Sequence, residues 1–442
     1  MEEKPLEVMT KDFVEFATAT FSRPNAGDLL TKMKIGHVVT KMFMALGFTR
    51  TMFNSAPLKE GLIQFFGERT RLFSMARERQ HQCSTRVAVV AATNAGDTKC
   101  LIPSYNRPDL SDCSDFERED DDNNGMKIWE AALATSAAPF YLPAFKKEET
   151  KKEYVDGALY ANCPAETALR EMKKLWPQNG ASLDVLLSLG TGKQKKEIKI
   201  PKTIRIGGFE EICRSFHNNL DTQKLWERFL QTDAAEATRG RLHRLNPAIK
   251  PDLGYVSIFQ YEKMSALQTM VEERMSDSEF VQEVQDIADV LLANLFFFEP
   301  DDEILNGLAG LSIGGTTVLK GNIKLPGTIR SRLRHKSVEL KTLLSKVLGF
   351  AYALLPEHHP THMNELPSEL RWIEVQSFQD MRAEIEDNKC QFRIPVSMKG
   401  SKESPAPHVF AVRMKERPGR WIPISGFPVC MAELLRRAGS RG

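Results

Sequence analysis

Residues 154–164 read Tyr154-Val-Asp-Gly-Ala-Leu-Tyr-Ala-Asn-Cys-Pro164. The opening Tyr-Val suits a short strand, which ends on Asp156, and Gly157 turns the chain at once. A carboxylate at the C-terminal end of a strand in an α/β sheet faces the crevice where ligands bind. Glycine lets the following backbone pass close to another group. Two readings stand side by side: an ordinary Asp-Gly turn, or a mount for a carboxylate that accepts a proton.

Working outward, the run RVAVVAAT at 86–93 predicts a buried strand, and 101–105 predicts a second. Residues 126–136 predict a short helix that stops near Pro139. Residues 165–175 predict another helix, and LDVLLSL at 183–189 a further buried strand closed by Gly190-Thr-Gly192. Strand, helix and strand in that order predict a parallel βαβ unit and an α/β fold class. Helices are expected over much of residues 10–80, including 58–66 and a face formed by Ile35, Val38, Val39, Met42, Phe43 and Leu46. That face suits packing on a sheet or resting on a bilayer. The acidic run at 109–125 has no period and reads as a solvated loop. Residues 203–298 read as mostly helical, 337–355 as one helix, and 371–425 as alternating strands.

Composition limits the function. The chain has 442 residues, 42% of them hydrophobic and 27% charged, which is enough apolar material for a substantial core. Its 60 basic and 58 acidic residues leave a net charge of +2, against a nucleic-acid binder. Seven cysteines without a CxxC pair argue for reduced thiols rather than a disulfide framework or zinc module. The segment MEEKPLEVMTKDF lacks the apolar core of a signal peptide, and no stretch reaches the about 20 apolar residues of a membrane span. A soluble cytoplasmic protein, peripheral to membranes at most, is expected.

Other candidates are weaker. Gly190-Thr-Gly-Lys193 is not a P-loop, because Gln194 stands where Ser or Thr is needed. His358, His359 and His362 are interrupted by Pro360 and read as loop rather than metal ligands. Cys163 reads as a small buried thiol. Lys146, Lys147, Lys151 and Lys152 precede Asp156, and Lys193, Lys195, Lys196 and Lys199 follow Gly192. They suit solvated loops or a surface that attracts anionic headgroups.

Three blocks occur in order: Ala134-Thr-Ser-Ala-Ala-Pro139, Asp156-Gly-Ala158 and Ser188-Leu-Gly-Thr-Gly192. As a set over about residues 85–195 they resemble the patatin-like phospholipase family. The segments at 296–300 and 421–428 look like those of its fungal members. The resemblance implies a three-layer α/β/α sandwich and hydrolysis of acyl esters by a Ser–Asp dyad. Asp156 would be the proton acceptor, with Gly157 and Ala158 completing its motif, and no metal or organic cofactor is implied. The expected partner is a phospholipid or another acyl-ester lipid.

The sequence departs from that pattern. The family places a G-x-S-x-G elbow and a glycine-rich oxyanion loop before the aspartate, and residues 1–155 contain neither. The expectation is a chain without its N-terminal portion, or a diverged relative that binds lipid or a protein partner without hydrolysis. One G-x-S-x-G exists, Gly310-Leu-Ser-Ile-Gly314, but Gly-rich sequence follows Ser312 where an elbow needs a helix. Ser312 is therefore a weak candidate nucleophile. The expected organisation is an incomplete patatin-like α/β region at 1–205 and a helical segment at 206–300. A linker and helix at 301–370 and a β-rich C-terminal domain at 371–442 follow.

Overall fold

The apolar run at 86–93 supplies the middle strand of a five-stranded sheet in the computed structural model. The structure describes residues 6–21, 51, 53–72, 85–93, 98–106, 116–119, 125–139, 141–176, 183–193, 221–250, 253, 261–301, 322–333, 337–359, 366–367, 369–375, 392–401 and 406–439. The Ile35–Leu46 face and Ser312 lie outside them. Two compact units are present. One comprises Met1–Ala168, Gly190–Arg228 and Asn246–Glu273; the other comprises Leu169–Leu189, Phe229–Leu245 and Arg274–Gly442.

In the first unit, β1 (Ala88–Thr93), β2 (Thr98–Pro103), β3 (Glu117–Arg118), β4 (Phe145–Lys146) and β5 (Glu153–Asp156) form the sheet in the order β3-β2-β1-β5-β4. Only the β2–β3 pair is parallel. Burial of consecutive residues Val90 to Thr93 on β1 explains its near-continuous apolar composition. Helices α1 (Leu6–Phe21), α2 (Ala56–Phe66), α3 (Ile128–Thr135) and α4 (Ala158–Ala161) accompany the sheet. Gly67, at φ 83°, closes α2 in a conformation that a side chain would resist. The Glu130 carboxylate accepts the backbone N–H of Lys127 at 2.9 Å and so caps the start of α3. Leu62 and Leu72 pack with Met126, Trp129 and Leu133 against Ala91, Cys100, Ile102 and Tyr154 of the sheet.

The helix α5 (Ala165–Leu175) links the units along the chain. In the second unit β6 (Leu186–Leu189) pairs in parallel with β7 (Leu242–Leu245). The expected βαβ unit therefore takes a different form: β6 bonds β7 rather than β5. Nor is β6 a buried strand, since Leu189 is 71% exposed. The stretch read as mostly helical holds α6 (Thr222–Phe229), α7 (Met264–Arg274) and α8 (Ser278–Ala293), but also β7, and it ends in β8 (Phe296–Pro300).

Two antiparallel sheets follow. With β9 (Asn322–Ser331), β10 (Val347–Leu354), β11 (Ile373–Glu374), β12 (Arg393–Ser401), β13 (His408–Met414) and β14 (Trp421–Pro423), their orders are β12-β9-β8 and β11-β10-β13-β14. The helix expected at 337–355 stops early: α9 (Val338–Lys346) gives way to β10. The chain closes with α10 (Met431–Gly439). Phe296, Phe350 and Phe392 meet at the centre of this unit, with ring centroids 5.0–6.0 Å apart. The fold class is thus mixed α/β, with small antiparallel sheets toward the C-terminus.

Candidate active site

Asp156 is the last residue of β5 and stands opposite Ala91 in the antiparallel register. The ladder ends there. Gly157 takes helical angles, φ −65° and ψ −11°, and α4 begins at the next residue. The Ala158 N–H donates to Asp156 Oδ1 at 2.8 Å, the short-range bond by which an aspartate organises a turn. Asp156 donates its own N–H to the Ala137 carbonyl at 3.0 Å. A second bond comes from the same segment: the Thr135 hydroxyl donates to the Val90 carbonyl at 2.6 Å.

Gly157 has a steric reason. A Cβ at this position would lie 2.2 Å from the Val90 carbonyl oxygen. The Asp-Gly pair is therefore both a turn and a close backbone approach. Burial pushes the Asp156 carboxyl up to about 6, with the Ala158 N–H partly opposing the shift. A carboxylate in that range exchanges protons readily near neutral pH.

Paired residues across a sheet point to the same face, so Glu117, Cys100, Ala91 and Asp156 form one cross-strand row. Burial pushes the Cys100 thiol up to about 12, so it is protonated and inert as a nucleophile. Burial also holds the Tyr154 phenol well above its usual range. The Glu117 carboxyl is held below the usual range, first by the Lys152 ammonium. Lys152 donates to Glu117 at 2.6 Å and also to Glu119, while the Thr93 hydroxyl donates to Glu117 at 3.0 Å.

These contacts revise two readings. Glu117 and Arg118 of the acidic run form β3, so that run is not solely a solvated loop. Among the basic residues before Asp156, Lys147 is buried and Lys152 is paired with the two glutamates. Cys163 is half-buried rather than fully buried. Gly157 and Ala158 lie beside Asp156 as adjacent members of the motif. Ser312 and His362 lie outside the described residues, as do Lys195, Lys196 and Lys199.

The Gly190-Thr-Gly192 block is held by Asn246, whose Oδ1 accepts the Gly192 N–H at 2.8 Å. Asn246 in turn donates to Gln223 at 3.3 Å. Neither Asn246 nor Thr135 stands out as a site residue in the sequence. Thr135 lies inside the Ala134–Pro139 block, whereas Asn246 is more than 50 positions from its partner and carries no local signal. Among the described residues no helix is long and apolar enough to cross a membrane.

Comparison with known proteins gives two family matches: "Patatin-like phospholipase" over residues 3–169 and "Domain of unknown function (DUF8392)" over residues 324–439. Phospholipase A I of Arabidopsis thaliana is 37% identical over 86 residues, 20% of this chain and 6% of that protein. Calcium-independent phospholipase A2-gamma of Oryctolagus cuniculus is 37% identical over 73 residues, 16% of this chain and 9% of the relative. Patatin-like phospholipase 1 of Plasmodium falciparum (isolate NF54) is 39% identical over 84 residues, 16% of this chain and 12% of the relative. The alignments thus span only a small part of each relative's length. Over residues 3–169, this chain carries a patatin-like phospholipase domain.

Proposed function

We propose that the chain acts in acyl-ester lipid hydrolysis of the phospholipase A type, with Asp156 as the proton acceptor. The observation that carries this reading is a carboxyl at a strand end, pushed by burial up to about 6. In such a reaction a serine Oγ attacks the ester carbonyl carbon as its proton passes to the carboxylate. The ester oxygen leaves as the alcohol with that proton. Water then attacks the acyl-serine as the same carboxylate takes its proton, which passes on to the departing serine Oγ. Backbone N–H groups aimed at the oxyanion supply much of the rate.

The nucleophile is the open element of this reading. No G-x-S-x-G precedes Asp156 in these 442 residues, and the pattern at Gly310–Gly314 follows it. A second reading is a non-catalytic domain that binds acyl-ester lipid or a protein partner through the same scaffold. In either reading the membrane contact is peripheral, and the protein is cytoplasmic.

Turnover of phosphatidylcholine vesicles by the purified chain separates the two. Turnover abolished in Asp156→Asn supports hydrolysis. Loss in Ser312→Ala as well assigns Ser312 as the nucleophile. No turnover by the wild-type chain, together with retained vesicle binding, supports the binding domain.

A further inference from the structure

We propose that Thr135 is a positioning residue for Asp156: by holding the Val90 carbonyl, its hydroxyl fixes the strand end from which the Asp156 carboxyl projects. The inference rests on the reading of Asp156 as the proton acceptor.

The β1–β5 ladder stops at the pair Ala91 and Asp156. The next residue of β1, Val90, would face Gly157, but Gly157 has already turned into α4. The buried Val90 carbonyl therefore needs a donor from elsewhere. Thr135 supplies one at 2.6 Å, from 45 positions along the chain. A threonine in a helix commonly bonds a carbonyl one turn back in its own helix. Here the hydroxyl of the last residue of α3 reaches a strand instead.

Two further contacts make this bond consequential. Gly157 passes so near the Val90 carbonyl that even a Cβ would stand 2.2 Å from that oxygen, which ties the place of the oxygen to the course of the turn. Two residues beyond Thr135, the Ala137 carbonyl accepts the Asp156 N–H at 3.0 Å. The end of α3 and the segment after it thus grip both strands, β1 through Thr135 and β5 through Ala137. Asp156 lies between two fixed backbone points, with its Oδ1 tied to Ala158. Removal of the Thr135 hydroxyl frees one of those points and opens the strand end to water.

The test is the proton affinity of Asp156 in the full chain, followed by 13C NMR of its carboxyl carbon. The resonance lost in Asp156→Asn gives the assignment. The other ionisable groups on this face do not interfere: the Cys100 thiol titrates at about 12 and the Glu117 carboxyl below the usual range. The Tyr154 phenol lies far above that window, and the Lys152 ammonium, paired with Glu117, is raised above its usual range.

Thr135→Ser keeps the hydroxyl and is expected to titrate like the wild type. Thr135→Val keeps the shape without the hydroxyl, and its Asp156 midpoint is expected to fall by about one pH unit as water reaches the carboxyl. An unchanged midpoint in folded Thr135→Val overturns the proposal, and so does an equal fall in Thr135→Ser. A second measurement needs no folded Thr135 variant. In the wild-type chain the Thr135 methyl resonance is expected to shift with the Asp156 midpoint and to stay flat in Asp156→Asn. A methyl that ignores the Asp156 titration overturns the proposal. Both measurements read proton binding rather than ester turnover, so failure of the hydrolase reading is a separate outcome.

Discussion

The carbonyl oxygen of Val90 stands 2.2 Å from the point that a Cβ on Gly157 would occupy. The obstacle is backbone in the middle strand of the sheet, so it cannot swing aside as a flexible side chain would. Gly157 has an ordinary φ of −65°, which leaves steric contact as the whole reason for glycine. Gly157→Ala is expected to lower unfolding stability by about 2–4 kcal/mol, in the range of an overpacked core. Urea unfolding of the two chains measures it; a loss under about 0.5 kcal/mol would show that β1 yields easily.

Asp156 makes stability depend on pH in a direction opposite to that of an ion-paired carboxylate. Its carboxyl titrates at about 6 in the fold, against 3.8 for the unperturbed group. Between those values the folded chain keeps a proton that the unfolded chain has released. The stability contributed by the protonated form is full below the unfolded value and is lost as pH rises through about 6. Asp156→Asn carries no such penalty, because its Oδ1 still accepts the Ala158 N–H. The variant is expected to gain on the wild type by about 2–3 kcal/mol between pH about 4 and pH about 7. Denaturant midpoints across that range decide it, and parallel pH profiles for the two chains would refute the burial argument.

Much of the first unit was legible because its signals are local. The apolar run at 88–93, the alanine-rich helix before Pro139 and the strand ending on Asp156 each carry their own pattern. The pairing of β6 was not legible. Its partner Leu242-His-Arg-Leu245 has two polar residues at its centre and no alternation to mark it as a strand. The apolar spacing at Leu343, Leu344, Val347 and Phe350 suits one continuous helix, yet the chain changes to strand at Val347. Glu117 and Glu119 looked like members of an unpatterned acidic run because Lys152 lies more than 30 positions away.

That distant partner gives a third prediction. Lys152 bridges Glu117 and Glu119, with Glu119 the more buried of the two. Lys152→Met keeps the alkyl stem and leaves two carboxylates side by side. The expected loss is about 1–2 kcal/mol at neutral pH, above that of an exposed pair because Glu119 is partly desolvated. The pH dependence has a definite sign. Lys152 holds the Glu117 carboxyl below its usual range, so the stability from this pair is present at neutral pH and lost as acid protonates it. The gap between wild type and variant is expected to narrow below pH about 4. A gap of constant size would mean that Lys152 acts by packing alone.

Gly190 and Asn246 give a coupled case. A Cβ on Gly190 would lie 2.2 Å from Asn246 Oδ1, the atom that accepts the Gly192 N–H. Gly190→Ala therefore has to push Asn246 off that N–H, with an expected cost of about 2 kcal/mol. Asn246→Ala abandons the same bond directly and is expected to cost about 1–2 kcal/mol. The double variant loses the bond once, and the shortened side chain leaves room for the new methyl. The Asn246 Cβ, 2.8 Å from the new one, still crowds it. The double variant is expected to be more stable than the sum of the single losses by at least about 1 kcal/mol. Chemical unfolding of the four chains measures that coupling. Simple additivity would mean that the loop carrying Gly190-Thr-Gly192 moves aside without disturbing Asn246.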